Sequence, residues 1–92
     1  MRVSVKYLGH LRDELGEEEV FDLFSDSNPH LLSEILDELS KREGEAFSRL
    51  IYRSGEFNPH ITVIVNEKVI TSDKVTLDQD SSILFIPYAA GG

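Results

Sequence analysis

Cysteine is missing from all 92 residues of the chain. Its absence excludes a disulfide scaffold, a cysteine-ligated zinc site, a thiol nucleophile and a dithiol redox motif. Basic residues are scarce as well, because nine Lys and Arg stand against 17 Asp and Glu, which gives a formal net charge of -8. Nucleic acid is therefore not an expected partner, since phosphate backbones are bound by a surplus of Lys and Arg.

Long apolar runs are also missing. No run approaches the roughly 20 residues that a membrane-spanning helix needs, so we expect no membrane partner. Residues 1–16 lack the apolar centre and the cleavage site of a secretory signal peptide, and we therefore expect a cytoplasmic protein. A length of 92 residues, with 40% hydrophobic and 28% charged residues, predicts one globular domain rather than a disordered chain.

Sequence motifs of catalysis and metal binding are absent too. The chain has no phosphate loop, no glycine-rich dinucleotide loop, no serine-hydrolase elbow and no zinc-protease helix. His10, His30 and His60 lie in predicted turns or near a helix start, and we expect them to be surface or capping residues. Glu17–Glu19 lacks the spaced pattern of a calcium loop. We therefore predict no metal site, no tightly bound cofactor and no enzymatic activity of the chain itself.

The acidic residues are concentrated in residues 11–45, which contain twelve acids and three bases. The rest of the chain has five acids and six bases, and residues 81–92 have no charged side chain. We interpret the acidic segment as a solvated surface that favours solubility. The alternative is that it steers the protein toward a basic partner.

The first half of the chain predicts two strands and a helix. Alternation predicts a half-buried strand at Arg2–Leu8, and Glu19–Phe24 is predicted to pair with it as a hairpin. Between them, residues 11–15 predict one helical turn closed by Gly16. Asn28-Pro29 predicts the start of an amphipathic helix that ends near Gly44, because Asn caps helices and Pro fits the first turn. Its expected apolar stripe consists of Leu31, Leu32, Ile35, Leu36 and Leu39.

The second half predicts a short helix, a loop and three strands. The helix is expected at residues 46–53, with Phe47, Leu50 and Ile51 inward, and the loop at residues 54–59. The strands are expected at residues 61–66, 69–70 and 82–86, with the last one in a central position and residues 61–66 near the first strand. Pairing is expected to weaken at Pro87, which has no N–H. Together these elements predict an α+β fold, in which one helix crosses a mixed sheet.

The chain ends in a thin, uncharged strip after Pro87, namely Tyr88-Ala89-Ala90-Gly91-Gly92. Such a strip fits a channel too narrow for larger side chains, and its only reactive group is the Gly92 carboxylate. A carboxylate reacts after activation, commonly by transfer of AMP from ATP, which a partner would perform here. Attack of sulfur on the activated carboxyl group would then give a thiocarboxylate. Attack of a lysine amine on it would give an isopeptide bond. The alternative is a floppy terminus without function.

These residues together resemble the MoaD/ThiS family of ubiquitin-like sulfur carriers over nearly the whole chain. Residues 2–12 resemble the family's first strand, residues 61–66 its strand ending in Val-Asn, and residues 80–92 its closing segment with a proline and a terminal Gly-Gly. The chain departs from the family at Gln79-Asp80, where Gly-Asp is usual. Ile86-Pro87-Tyr88 likewise replaces Phe-Pro-Pro.

The resemblance implies a ubiquitin-like β-grasp domain at residues 1–87 and a flexible tail at residues 88–92. A MoeB-like adenylating enzyme would use ATP to activate Gly92, which would then carry sulfur as a thiocarboxylate. As the small subunit of molybdopterin synthase, the chain would insert its tail into a MoaE-like large subunit for molybdenum cofactor synthesis. The residues implied to line that channel are Tyr88, Ala89, Ala90 and Gly91, and those implied to dock are Ile86 and Pro87.

Two alternatives remain open at this point. In the first, the chain is a modifier of the small archaeal type, which is conjugated through Gly92 to lysines of other proteins. In the second, it is a non-catalytic interaction domain of ubiquitin-like fold, in which the terminal Gly-Gly is incidental.

Overall fold

A five-stranded mixed sheet forms the centre of the computed structural model, which describes residues 1–26 and 28–88. Its strand order is β2-β1-β9-β6-β7, and β1 and β9 are parallel whereas the other neighbours are antiparallel. The elements of the described residues are β1 (Arg2–Tyr7), α1 (Leu11–Leu15), β2 (Glu18–Asp22), β3 (His30–Leu31), α2 (Leu32–Glu43), α3 (Glu45–Leu50), β4 (Tyr52–Arg53), β5 (Glu56–Phe57), β6 (Ile61–Val65), β7 (Lys68–Ile70), β8 (Thr76–Leu77) and β9 (Ser81–Pro87).

The core lies between the helices and one face of this sheet, which we call the inner face. Val3, Val5 and Tyr7 alternate along β1 with no solvent exposure, as their spacing predicts. Leu32, Ile35, Leu36 and Leu39 of α2 are equally buried and belong to the same cluster. Phe85 of β9 stacks on Tyr7 and meets the edge of Phe47 from α3. The prediction of a mixed sheet with one crossing helix is therefore confirmed.

The helix start was predicted three residues too early. Asn28 and Pro29 precede β3, and α2 begins at Leu32 with Leu31 as its cap, without a side-chain capping hydrogen bond. Long-range pairing of β3 with β8 keeps His30 and Leu31 extended, and Leu31 is 40% exposed instead of joining the apolar stripe. The helix ends as predicted at Gly44, where φ is +85° and the N–H donates to the Ser40 carbonyl.

The segment after the helix also differs from the prediction. The short helix ends at Leu50 and is followed by a small antiparallel hairpin, in which β4 takes the last two residues of the predicted helix and β5 lies within the expected loop. Tyr52 packs its ring edge against Phe57 across this hairpin. Phe47 and Ile51 are fully buried as expected, whereas Leu50 is only partly buried against the core.

The last strand occupies the central position that was predicted for it. It separates β6 from β1, so β6 is one strand away from the first strand. Pairing does not weaken at Pro87 on the β6 side, because Pro87 stands opposite Ile61 and the Tyr88 N–H donates to the His60 carbonyl over 3.0 Å. Along β9, the backbone groups of successive residues point alternately toward β6 and toward β1. The N–H that Pro87 lacks would point toward β1, so only the pairing with β1 loses a donor.

None of the helices in the described ranges has the length and the hydropathy of a membrane span. Across the same residues, no group of three or more His, Asp and Glu side chains is arranged to hold a metal ion.

Candidate functional site at the end of the central strand

The chain leaves the sheet at a position fixed from both sides. On one side, the Leu8 N–H donates to the Phe85 carbonyl over 3.0 Å, which ends the parallel ladder of β1 and β9. On the other side, the Tyr88 N–H donates to the His60 carbonyl over 3.0 Å. Central strands have both ladders available, and β9 uses both up to its last residues. The tail therefore starts from a rigid part of the molecule.

Gly9 lies directly against the proline that ends β9. Its φ is +60°, in the left-handed region that side chains other than glycine rarely adopt. A Cβ atom at this position would lie 2.8 Å from Cγ of Pro87, far below ordinary van der Waals contact. Gly9 is thus required twice, by its own backbone conformation and by the space that the Pro87 ring occupies.

The face of the sheet opposite the helices is uncovered in the described chain, and we call it the outer face. Its apolar side chains cluster on β6, β7 and β9, where Ile64 stands between Leu84 and Val69 in the cross-strand register. Ile86 lies two positions beyond Leu84, next to Pro87. Val69 is 66% exposed, whereas the other members are half-buried. We call these four residues the outer patch: Ile64, Val69, Leu84 and Ile86.

The other half of the outer face is polar except for Val20 on β2. Lys6 of β1 stands between Leu84 and Glu18 in the register, so the charges begin one strand away from the outer patch. A shallow groove of about 300 Å³ runs along this boundary and includes Ser4, Lys6 and Glu18 in its lining. The outer face is therefore amphipathic across its width, and its apolar half comprises β6, β7 and the strand that leads into the tail, β9.

A larger open groove lies beside the start of the tail. Its volume is about 590 Å³, and it passes between the β4–β5 hairpin and the edge strand β7. Tyr88, which is 59% exposed, forms part of its wall together with Phe57 and Ile61. Its charged lining residues are the acids Glu56 and Asp73, so the groove has a negative character.

One polar corner interrupts the apolar inner side of the sheet. Glu43 ends α2, and Glu19 approaches it from β2, where it is paired with Val5. Burial and, next, the neighbouring Glu19 carboxyl raise the pKa of Glu43 to about 7. Burial also raises the pKa of the Tyr7 hydroxyl above its usual range. Within the described residues, the Tyr7 hydroxyl and Oε1 of Glu43 are buried without a hydrogen-bond partner.

A second charged cluster surrounds His30 at the start of α2. Its Nδ1 lies 2.7 Å from a Glu34 oxygen and its Nε2 lies 2.9 Å from an Asp26 oxygen, while the ring stacks on Phe24 at 3.8 Å. Hydrogen bonds to Glu34 and, next, to Asp26 raise the pKa of His30. This arrangement favours the imidazolium form and holds the chain where it enters the helix.

The structure brings three of the predicted site residues together, namely Ile86, Pro87 and Tyr88. The other four, Ala89, Ala90, Gly91 and Gly92, lie outside the described residues, and the roles of all seven stay predictions. Sequence reasoning missed Gly9, although a glycine between a strand and a helical turn was a signal for a left-handed residue. Its contact with Pro87 spans most of the chain and could not be read from local pattern.

The sheet order, the helix packed on its inner face and the parallel pairing of first and last strands define the ubiquitin-like β-grasp class. SAMP1 from Haloferax volcanii superposes with a TM-score of 0.73 at 22% identity and 100% coverage of both chains. A putative molybdopterin converting factor subunit 1 from Pyrococcus furiosus gives 0.69 at 21% identity, covering 97% of this chain and 99% of that one.

CysO in the BexX/CysO complex from Amycolatopsis orientalis gives a TM-score of 0.70 at 22% identity, with 98% of this chain and 99% of that chain covered. Residues 5–92 match the model described as the ThiS family. The chain therefore belongs to the ThiS family of ubiquitin-like sulfur carriers and modifiers. A search of curated proteins found no significant sequence match.

Proposed function

We propose that this protein is a sulfur carrier whose C-terminal glycine, Gly92, is adenylated by a partner enzyme and converted to a thiocarboxylate. The observation that carries the proposal is the family match, which extends through residue 92 and includes the terminal Gly-Gly. The rigid exit at Pro87 and Tyr88 supports it, because a short tail on a fixed base presents its end within a limited volume.

The proposed chemistry takes place in two steps. An oxygen of the Gly92 carboxylate attacks the α-phosphorus of ATP, which forms an acyl-adenylate and releases pyrophosphate. Hydrosulfide (HS⁻) then attacks the acyl carbon, the bond from carbon to the adenylate oxygen breaks, AMP leaves, and loss of the S–H proton gives the thiocarboxylate. The carboxyl group thereby exchanges one oxygen for sulfur. Catalysis is assigned to the partner, and this chain supplies the reacting terminus and the surface that docks it.

The docking surface of this proposal is the outer patch together with Pro87 and Tyr88. These residues are apolar and exposed or half-buried within the described chain, and all except Val69 lie on or beside the strand that continues into the tail. Exposed apolar patches with a polar rim are typical of protein interaction sites. Lys6 and Glu18 supply such a rim on one side.

Within the family, we propose the role of the small subunit of molybdopterin synthase. The partners are then a MoeB-like adenylating enzyme, which uses ATP, and a MoaE-like large subunit, into which residues 88–92 are inserted. The fold match to the molybdopterin converting factor subunit from Pyrococcus furiosus supports this role. The match to SAMP1 over 100% of both chains favours a second candidate, a modifier that forms isopeptide bonds with lysines.

Mass spectrometry of the chain purified from its native cells tests the proposal. We expect an intact mass raised by the replacement of one oxygen by sulfur, located by fragmentation at Gly92. Peptides in which Gly92 is joined to lysines of other proteins support the modifier instead. If neither species is found, and deletion of Gly91 and Gly92 leaves function intact, the proposal is wrong.

A terminal extension provides the matched control. One alanine added after Gly92 moves the carboxylate without touching the folded domain, and we expect it to abolish sulfur loading while the unfolding curve stays unchanged. Loading of a chain that demonstrably keeps the extra residue would contradict the terminal mechanism.

A further inference from the structure

We infer that Gly9 is a positioning residue for the C-terminal tail, because it sets the place and direction in which the chain leaves the sheet at Pro87. This inference rests on the proposed function of Gly92. Gly9 lies in the turn between β1 and α1, far from the terminus in sequence, and its α-carbon faces the ring of Pro87. The two residues are therefore in contact across the parallel pair of β1 and β9.

The contact leaves no room for adjustment. A Cβ on Gly9 would lie 2.8 Å from Cγ and 3.5 Å from Cδ of Pro87, and the ring cannot rotate away as an open side chain would. Pro87 is held on its other side, because the next residue, Tyr88, donates its N–H to the His60 carbonyl. A larger residue at position 9 therefore displaces either the turn of residues 8–10 or the end of β9.

The shortness of the tail makes this displacement consequential. Under the proposed function the reacting carboxyl belongs to Gly92, four positions after Tyr88, and an extended chain of that length spans at most about 14 Å. A short tether transmits a change of direction at its base to its end. The acyl carbon of Gly92 has to meet an adenylate within bonding distance, and misplacement by about 1 Å costs as much as a hundredfold in rate.

Three other glycines supply matched controls. Gly16, Gly44 and Gly55 have φ of +94°, +85° and +83°, and an added Cβ on each meets no atom within 4 Å. Gly16→Ala imposes at least as much backbone strain without the contact, because φ of +94° with ψ of 173° is a conformation essentially restricted to glycine. Pro87→Ala removes the ring atoms that the new Cβ would meet, so the double variant Gly9→Ala/Pro87→Ala isolates the contact from the strain.

The first measurement is amide hydrogen exchange at Tyr88 by NMR on the full chain. Gly9→Ala is expected to speed exchange of this amide at least about tenfold, whereas Gly16→Ala leaves it unchanged and the double variant returns it to the level of Pro87→Ala alone. Unchanged protection of Tyr88 in Gly9→Ala overturns the inference. If Gly9→Ala does not fold, folding of the double variant supports the contact as the cause, and failure of both overturns it.

The second measurement is ATP–pyrophosphate exchange with an adenylating enzyme that accepts the wild-type chain. Gly9→Ala is expected to lower kcat about tenfold to a hundredfold with little change in KM, because the outer patch is kept and the terminus is misplaced. An equal loss in Gly16→Ala, or a loss confined to KM, contradicts a positioning role. If the wild-type chain supports no exchange, the proposed function fails, and Tyr88 protection still decides whether Gly9 fixes the exit.

Discussion

The two faces of the central sheet have the same alternation of residues but different surroundings. On the inner face, side chains such as Val5 and Phe85 are completely buried by the helices. On the outer face, the apolar half of the surface is left uncovered within the described chain. An apolar cluster that the core does not need indicates a surface for recognition. Inner-face residues should thus govern stability and outer-patch residues should govern binding.

The largest effect is expected from Phe85→Ala on the inner face. Phe85 contacts the rings of Tyr7 and Phe47, and its removal leaves a cavity among fully buried side chains. We expect a loss of about 3–5 kcal/mol in the free energy of unfolding, measured by urea denaturation. Leu84→Ala, one residue earlier on the outer face, is the control and should cost about 1 kcal/mol. Equal losses would remove the distinction between the faces.

A smaller effect, and one on binding rather than stability, is expected from Ile86→Ser. The change removes an apolar side chain of the outer patch next to the start of the tail. We expect affinity for the adenylating partner to fall by about 2 kcal/mol, as measured by calorimetry. Val20→Ser is the control, because Val20 is 54% exposed on the same face at the far edge strand. Comparable losses for both variants would rule out the outer patch as the docking site.

The polar corner of the inner side predicts a pH dependence of stability. Because the pKa of Glu43 is raised to about 7 in the folded state from 4.5, the folded protein holds more protons between these values. The contribution of Glu43 to the free energy of unfolding is therefore complete below pH 4.5 and is lost as pH rises through 7. Glu43→Gln should flatten this part of the stability profile, measured by thermal unfolding from pH 4 to 8. Glu45→Gln, on the exposed start of α3, should leave the slope in place.

The smallest effect is expected from His30→Gln. The raised pKa of His30 means that its stabilising contribution is complete below pH 6.5 and is lost as pH rises through the folded-state value. The variant should therefore lose stability in acid relative to wild type and match it in alkali. His60→Gln, in the turn before β6, is the comparison variant. A constant deficit across the pH range would mean that the stacking on Phe24 outweighs the ion pairs.

Sequence reasoning succeeded where the determining interactions are local in the chain and failed where they join distant residues. Alternation along β1 and the three- and four-residue spacing in α2 identified the buried residues, because burial on one face imposes these periods locally. The start of α2 could not be found in the same way. Asn28 and Pro29 are a good local signal for a helix, but pairing between His30 and Leu77 across the chain outweighs it.

The candidate site divides in the same way. Ile86, Pro87 and Tyr88 were proposed from the closing segment and from a family resemblance, and their roles stay predictions. The outer patch requires the register that places Val69 beside Ile64, and no local pattern encodes which strands become neighbours. The contact of Gly9 with Pro87 depends on the same long-range pairing of the first and last strands.

The central place of β9 has a mechanical consequence. A partner that draws the tail into a channel applies force along the strand, and this force acts in shear on the ladders with β1 and β6 at the same time. A strand at the edge of the sheet would detach one hydrogen bond after another, whereas β9 can move only when both ladders yield together. The protein can therefore be pulled from the end of β9 without being unravelled.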